Sequence, residues 1–149
     1  MKNAQIACLL FAITFVSCQN SASKAMADMV SEWTNKTINI PKDEPFVSLL
    51  DTVDVDFNSY SYKIITYTDA SGCIGCQLKL NEWKKFNKEI LSYAKDKVIV
   101  LKIIAPHRAS EVFFELKSTD YDYPVLIDLE DNFNKSNQIP DNKAFVLSF

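Results

Sequence analysis

Glycine is nearly absent from this chain. There are two in 149 residues, where an average composition supplies about ten. Basic residues are not in excess: Lys+Arg total 16 against 19 Asp+Glu, a net charge of -3. Such a surface does not attract polyanions, which argues against nucleic acid as a partner. Histidine occurs once, as His107, and there are four cysteines. A structural zinc site takes four ligands, and this inventory supplies them poorly. No internal repeat or low-complexity tract is visible, and the length suits one compact domain rather than two. At 48% hydrophobic and 23% charged, the composition is that of a globular protein rather than a disordered one.

Both glycines flank a cysteine, in Ser71-Gly72-Cys73-Ile74-Gly75-Cys76. The other two cysteines, Cys8 and Cys18, lie near the N-terminus. Met1-Lys2-Asn3 is a short positive start, and Ala4 to Val16 is almost wholly apolar. This matches a secretory leader. It is shorter than the roughly 20 residues of a membrane-spanning helix. Val16-Ser17-Cys18 then resembles the lipobox of bacterial lipoproteins, although Phe15 stands where leucine is usual. The resemblance implies a signal peptide over 1–17, lipid on Cys18, and a polar tether through residue 24. It also implies a membrane-anchored address in the cell envelope, facing the periplasm or the cell surface. Cys8 falls in the removed segment. Cys73 and Cys76 are then the only thiols of the exported domain, expected over 25–149, in a compartment where disulfides form.

The remaining pattern alternates strands and helices. A helix is expected over Ala25–Trp33 and short strands over Thr37–Ile40 and Val53–Phe57, with a loop over 41–50 and a turn at Asn58-Ser59. Tyr62–Thr68 reads as a buried strand. Cys76–Ala94 reads as one long helix, with Leu80, Trp83, Phe86, Ile90, Leu91 and Ala94 inward. Val98–Ile104 has the unbroken apolar run of a parallel strand covered on both faces. Ser110–Lys117 is a second helix, Pro124–Leu129 another strand, Asp131–Gln138 a turn or short helix, and Ala144–Phe149 a last strand. The order implies an α/β fold.

A CxxC at the junction of a buried strand and a helix suits a reactive thiol. The first turn of a helix carries unpaired N–H groups and partial positive charge, which would lower the pKa of Cys73. Gly72 would allow the sharp entry, and Gly75 would clear space between the sulfurs for a partner's backbone. The segment from about Tyr62 to Phe149, with the CxxC and Ile139-Pro140 before the last strand, resembles the thioredoxin-like superfamily. Glu32-Trp33 and Ile38-Asn39-Ile40-Pro41 look like its membrane-anchored bacterial lipoproteins. The resemblance implies a central mixed sheet with flanking helices. It makes Cys73 the attacking thiolate and Cys76 the resolving thiol, with Pro140, Ile139 and Gly72 shaping the substrate site. It would also imply a C-terminal hairpin partner and helix beyond Phe149, so the domain reads as cut short there.

Three departures stand out: Gly72 in place of tryptophan, Ile-Gly in place of Gly-Pro, and Tyr67 six residues before Cys73 where a buried acid is frequent. Asp69 lies nearby. The function expected is thiol–disulfide exchange on protein disulfides, in the reducing direction. The protein is expected to be a monomer served by an outside electron donor, with no flavin, metal or nucleotide. The alternative is a non-catalytic binding module with a structural Cys73–Cys76 bridge; peroxide reduction at Cys73 is a third and weaker reading. His107, after Pro106, is expected to be a solvated loop residue. Asp128, Glu130 and Asp131 are expected to be solvated or capping.

Overall fold

The structure is a computed structural model that describes residue 24 and residues 27–42, 44–94, 97–139 and 145–148. The backbone alone is described for 145–148. Two compact units are distinguished, residues 1–38 and 39–149. In the first, residues 27–33 form helix α1. The Thr34 N–H and hydroxyl both donate to Val30 O and close its last turn. Lys36 Nζ sits 3.9 Å above the Trp33 ring.

The second unit is built on a mixed sheet. Its strands are β1 (Phe46–Ser48), β2 (Asp51–Val53), β3 (Tyr62–Thr68), β4 (Val98–Ile104), β5 (Val125–Ile127) and β6 (Phe145–Ser148), ordered β2-β1-β5-β4-β3-β6. The pairs β3/β4 and β4/β5 are parallel; β1/β2, β1/β5 and β3/β6 are antiparallel. The helices are α2 (Ile74–Leu78), α3 (Leu80–Ala94), α4 (Ala109–Thr119) and α5 (Asn132–Asn137). β3 and β4 carry the expected bounds, and every residue of β4 is buried, as a doubly covered parallel strand requires.

Four local expectations are corrected. Asn39 is not in a strand: its N–H donates to Asn137 Oδ1 and its carbonyl accepts from Asn137 Nδ2, both at 2.8 Å. A side-chain amide thus takes the backbone groups that a ladder would use. The loop expected over 41–50 contains β1, whose Phe46 and Val47 are buried between β2 and β5. The strand expected over Val53–Phe57 ends at Val53. Asp56 caps a 3-10 turn over Phe57–Ser59 by accepting from the Asn58 N–H at 3.0 Å, and Phe57 packs edge-on against Phe46 with ring centroids 5.2 Å apart.

The long helix is the most consequential correction. It begins earlier, at Ile74, and breaks at Lys79, which is left-handed with φ 44° and ψ 44°. Leu78 and Leu80 are both buried. Two residues apart on a continuous helix, they would point to nearly opposite sides; the break turns both inward. On α3 the buried polar residue is Asn87, whose Nδ2 donates to the Tyr121 hydroxyl at 3.0 Å, while Phe86 is exposed.

One core cluster ties these parts together. Val47, Ile104, Val125 and Ile127 from the sheet meet Ile74 and Leu78 of α2, Leu80 of α3, and Val112 and Leu116 of α4. Lys102, in the middle of β4, is 1% exposed. Its Nζ donates to Thr66 Oγ1 at 3.2 Å and lies 4.6 Å from the centre of the Trp83 ring. Burial pushes its pKa down to about 7, because an ammonium loses hydration there that one hydroxyl and one ring replace only partly.

Between about pH 7 and the unfolded lysine value of about 10.4, the unfolded chain holds a proton that the folded chain has lost, so folding stability rises with pH through that window. Urea midpoints measured from pH 7 to 9 are expected to climb more steeply for the wild type than for Lys102→Met, with the two curves converging toward pH 9. A parallel pair of curves would contradict the assignment.

Candidate functional site

The motif singled out in the sequence lies where β3 ends. Asp69 carries the chain out of the strand, and its Oδ1 accepts from the Ser71 N–H at 3.0 Å and from the Ser71 hydroxyl. Gln77 Nε2 donates back to the Ser71 carbonyl and holds the turn from the far side. Gly72 has φ +113°, a conformation that costs an L side chain energy and glycine very little. Cys73 is the N-cap of α2, and its Sγ accepts from the Cys76 N–H at 3.4 Å.

Ile74 and Leu78, four residues apart, fall on one face of α2 and are buried; Cys73, Gly75 and Cys76 fall on the other and are exposed. The two apolar side chains therefore anchor the segment while the sulfurs face solvent. Gly72, Cys73 and Cys76 lie at the entry and in the first turn of α2. Pro140 and Cys18 lie outside the described residues. Ile139 is buried after α5, with its N–H donating to Asn134 Oδ1 at 3.0 Å. It does not line the cleft beside Cys73. His107 is exposed on the loop after β4, as expected.

The thiols differ in acidity. Cys73 is held below its ordinary value, first by the hydrogen bond from the Cys76 side chain and then by the one from the Cys76 N–H. Cys76 is held above its ordinary value by donating to Cys73 and by the negative charge there. The cause is thus local hydrogen bonding within one turn. The long helix invoked from sequence does not begin at Cys73: α2 has five residues, and Lys79 separates it from α3.

The charged side chain that both thiols sense is Glu115 of α4, which raises both pKa values. It would enter only by tertiary packing; in the sequence it is an ordinary polar residue of an amphipathic helix. It also revises the role of Gly75. A Cβ there would stand 2.6 Å from Glu115 Oε1, so the missing side chain makes room for this carboxylate. An open cleft of about 460 Å³ runs between the two segments, lined by Cys73, Gly75, Arg108, Glu111, Phe114 and Glu115 among others.

Tyr67 does not stand in for an acid near the sulfurs. Its hydroxyl donates to Asp131 Oδ1 at 2.6 Å, and burial followed by that bond raises its pKa. Asp128, fully buried rather than solvated, accepts from the Asn132 and Phe133 N–H groups at 2.9 and 2.7 Å and starts α5. Asp128 and Asp131 are thus committed to capping and to Tyr67, while Glu130 is exposed. Among the described residues no cluster of His, Cys, Asp and Glu is arranged to hold a metal.

No protein-family model matches the chain, and no curated protein matches it. Among solved structures, it is similar to the thioredoxin domain of a thiol-disulfide oxidoreductase from Bacteroides vulgatus. The TM-score is 0.50 at 10% identity, over 75% of this chain and 81% of that one. The fold is thioredoxin-like. Further similarities are to StoA from Bacillus subtilis (TM-score 0.48, 15% identity, 72% and 82% coverage). A domain of a possible thiol-disulfide isomerase from Cytophaga hutchinsonii gives TM-score 0.44 and 14% identity, with 76% and 79% coverage. At such identities the likeness concerns architecture, and the chemistry of this thioredoxin-like chain is argued from its own residues.

Two measurements check the site. Iodoacetamide alkylation of Cys73 is expected to follow a pH midpoint below that of a free cysteine; Cys76→Ala removes the leading hydrogen bond and should move that midpoint up. An unmoved midpoint would contradict the local origin of the shift. Gly72→Ala should destabilise the fold by about 1–2 kcal/mol through its positive φ. Gly75→Ala should be near neutral in the same urea titration, because a gain of about 0.5–1 kcal/mol in helix propensity offsets the displacement of a flexible carboxylate.

Proposed function

We propose that this protein is a thiol–disulfide oxidoreductase that reduces protein disulfides through Cys73 and Cys76. The observation that carries the reading is the asymmetric pair: two exposed thiols one helical turn apart, the first acidified by the second. The Cys73 thiolate attacks one sulfur of a partner disulfide, forming a mixed disulfide and releasing the other partner sulfur as a thiolate. Cys76, deprotonated, then attacks the Cys73 sulfur. The Cys73–Cys76 disulfide forms and the second partner sulfur leaves, so that two electrons have passed to the partner. The oxidised pair is returned to the dithiol by an outside electron donor.

The reducing direction is supported by the surroundings. A thiolate stabilised strongly makes an oxidant, because its reduced form is favoured. Here no cation sits in the Ile74-Gly75 dipeptide, and the Glu115 carboxylate opposes both thiolates. The leader-like start and Cys18 support a lipid-anchored protein in the cell envelope, facing the periplasm or the cell surface. In this reading it is a monomer acting on protein partners, and its net charge of -3 argues against nucleic acid. Acyl chains at Cys18 would add about 0.8 kcal/mol of membrane affinity per buried methylene. Pro140 remains in this proposal as a substrate-shaping residue.

Insulin reduction with dithiothreitol as donor tests the reaction. Turnover is expected in the wild type and lost in Cys73→Ser, while Cys76→Ser accumulates a mixed disulfide visible on a non-reducing gel. Undiminished turnover in Cys73→Ser would reject the mechanism. The alternative, a binding module with a structural bridge, is favoured by the engagement of Tyr67 with Asp131 in place of a free acid. It requires a Cys73–Cys76 reduction potential below about −300 mV.

A further inference from the structure

Glu115 has no part in the bond exchange, yet its carboxylate lies against α2, 2.6 Å from where a Gly75 Cβ would stand. The cleft next to Cys73 carries three charged side chains. Two of them satisfy each other: Arg108 Nε and Nη2 both donate to Glu111 Oε1, at 2.9 and 2.5 Å. The Glu115 carboxylate has no ion pair or hydrogen-bond donor among the described residues, and it is half-buried. Gly75 offers no side chain to screen it from a molecule lying across α2. The cleft therefore holds one uncompensated negative charge beside an exposed nucleophilic sulfur.

A disulfide in exchange must bring one sulfur onto Cys73, which places its flanking atoms over Gly72 and Gly75 and thus within the field of Glu115. A cationic flanking group gains there; an anionic one is repelled by the carboxylate and by the thiolate together. Phe114, exposed on the same cleft wall, offers an apolar surface to the methylenes of a lysine or arginine. We propose that Glu115 is a specificity-determining residue that selects disulfides flanked by a basic group. The inference rests on the dithiol reading above and names its substrate class.

The test is single-turnover exchange between the full reduced chain and three small disulfides followed by stopped flow: cystamine (cationic), bis(2-hydroxyethyl) disulfide (neutral) and 3,3′-dithiodipropionate (anionic). Cystamine is expected to react fastest and dithiodipropionate slowest. In Glu115→Gln the cystamine-to-dithiodipropionate rate ratio should fall by about threefold to tenfold, and Glu115→Lys should lower it further. A change in Cys73 acidity scales all three rates together and cancels in the ratio. Glu89→Gln removes the same charge from an exposed position on α3 and should leave the ratio unchanged. A ratio insensitive to Glu115, or equally sensitive to Glu89, overturns the proposal. The experiment needs no catalytic cycle. A Glu115-dependent ratio without insulin turnover would sink the enzyme reading alone, and insulin turnover with a Glu115-independent ratio would sink the specificity alone.

Discussion

Burial of Ile74 and Leu78 is the constraint on which the site depends. They stand one helical turn apart and join the core built by β1, β4, β5 and α4. Each contributes about 1.5–3 kcal/mol by leaving water. Because they occupy one face of α2, the sulfurs of Cys73 and Cys76 are forced onto the other. The same burial sets the break at Lys79: Leu80 joins the cluster only if the helix axis is interrupted between it and Leu78. The CxxC turn is thus a short helix pinned at its apolar face, held at its entry by Gly72 and by the Gln77–Ser71 hydrogen bond.

Electrostatics at the sulfurs are settled at shorter range than helix length suggests. A hydrogen bond from the Cys76 thiol and another from the Cys76 N–H act directly on Cys73, and both arise within a single turn. Against them stands the charge of Glu115, brought across from α4 by the packing of Val112 and Leu116. The balance leaves Cys73 acidified but not strongly stabilised, in keeping with the reducing direction proposed above. The buried polar groups elsewhere serve other purposes: Asp128 starts α5, Tyr67 ties to Asp131, and Lys102 is accommodated under Trp83.

Much of this is legible in the amino-acid sequence. β3 and β4 were readable to the residue because unbroken apolar, β-branched runs have few other uses in a chain of this size. α4 followed from its inward Val112, Phe113 and Leu116, and the CxxC announced itself through the only two glycines. The elements that escaped notice are those whose backbone groups are satisfied from far away. Asn39 is capped by Asn137, 98 residues on. β1 is three residues long and exists because β5 and β2 flank it. The break at Lys79 had a readable sign, the pairing of Leu78 with Leu80, which a stripe begun at Leu80 passes over.

From the chain alone came the candidate pair of sulfurs, their spacing, and the strand-then-helix setting that exposes them, because those depend on neighbours a few residues away. Folding in three dimensions decided what surrounds them. It set Glu115 against Gly75, bound Tyr67 to a carboxylate beyond β5, and buried the Lys102 amine against the Thr66 hydroxyl and the Trp83 ring. A charge acts through space, and its effect on a sulfur is fixed by distance and solvent rather than by position along the polymer.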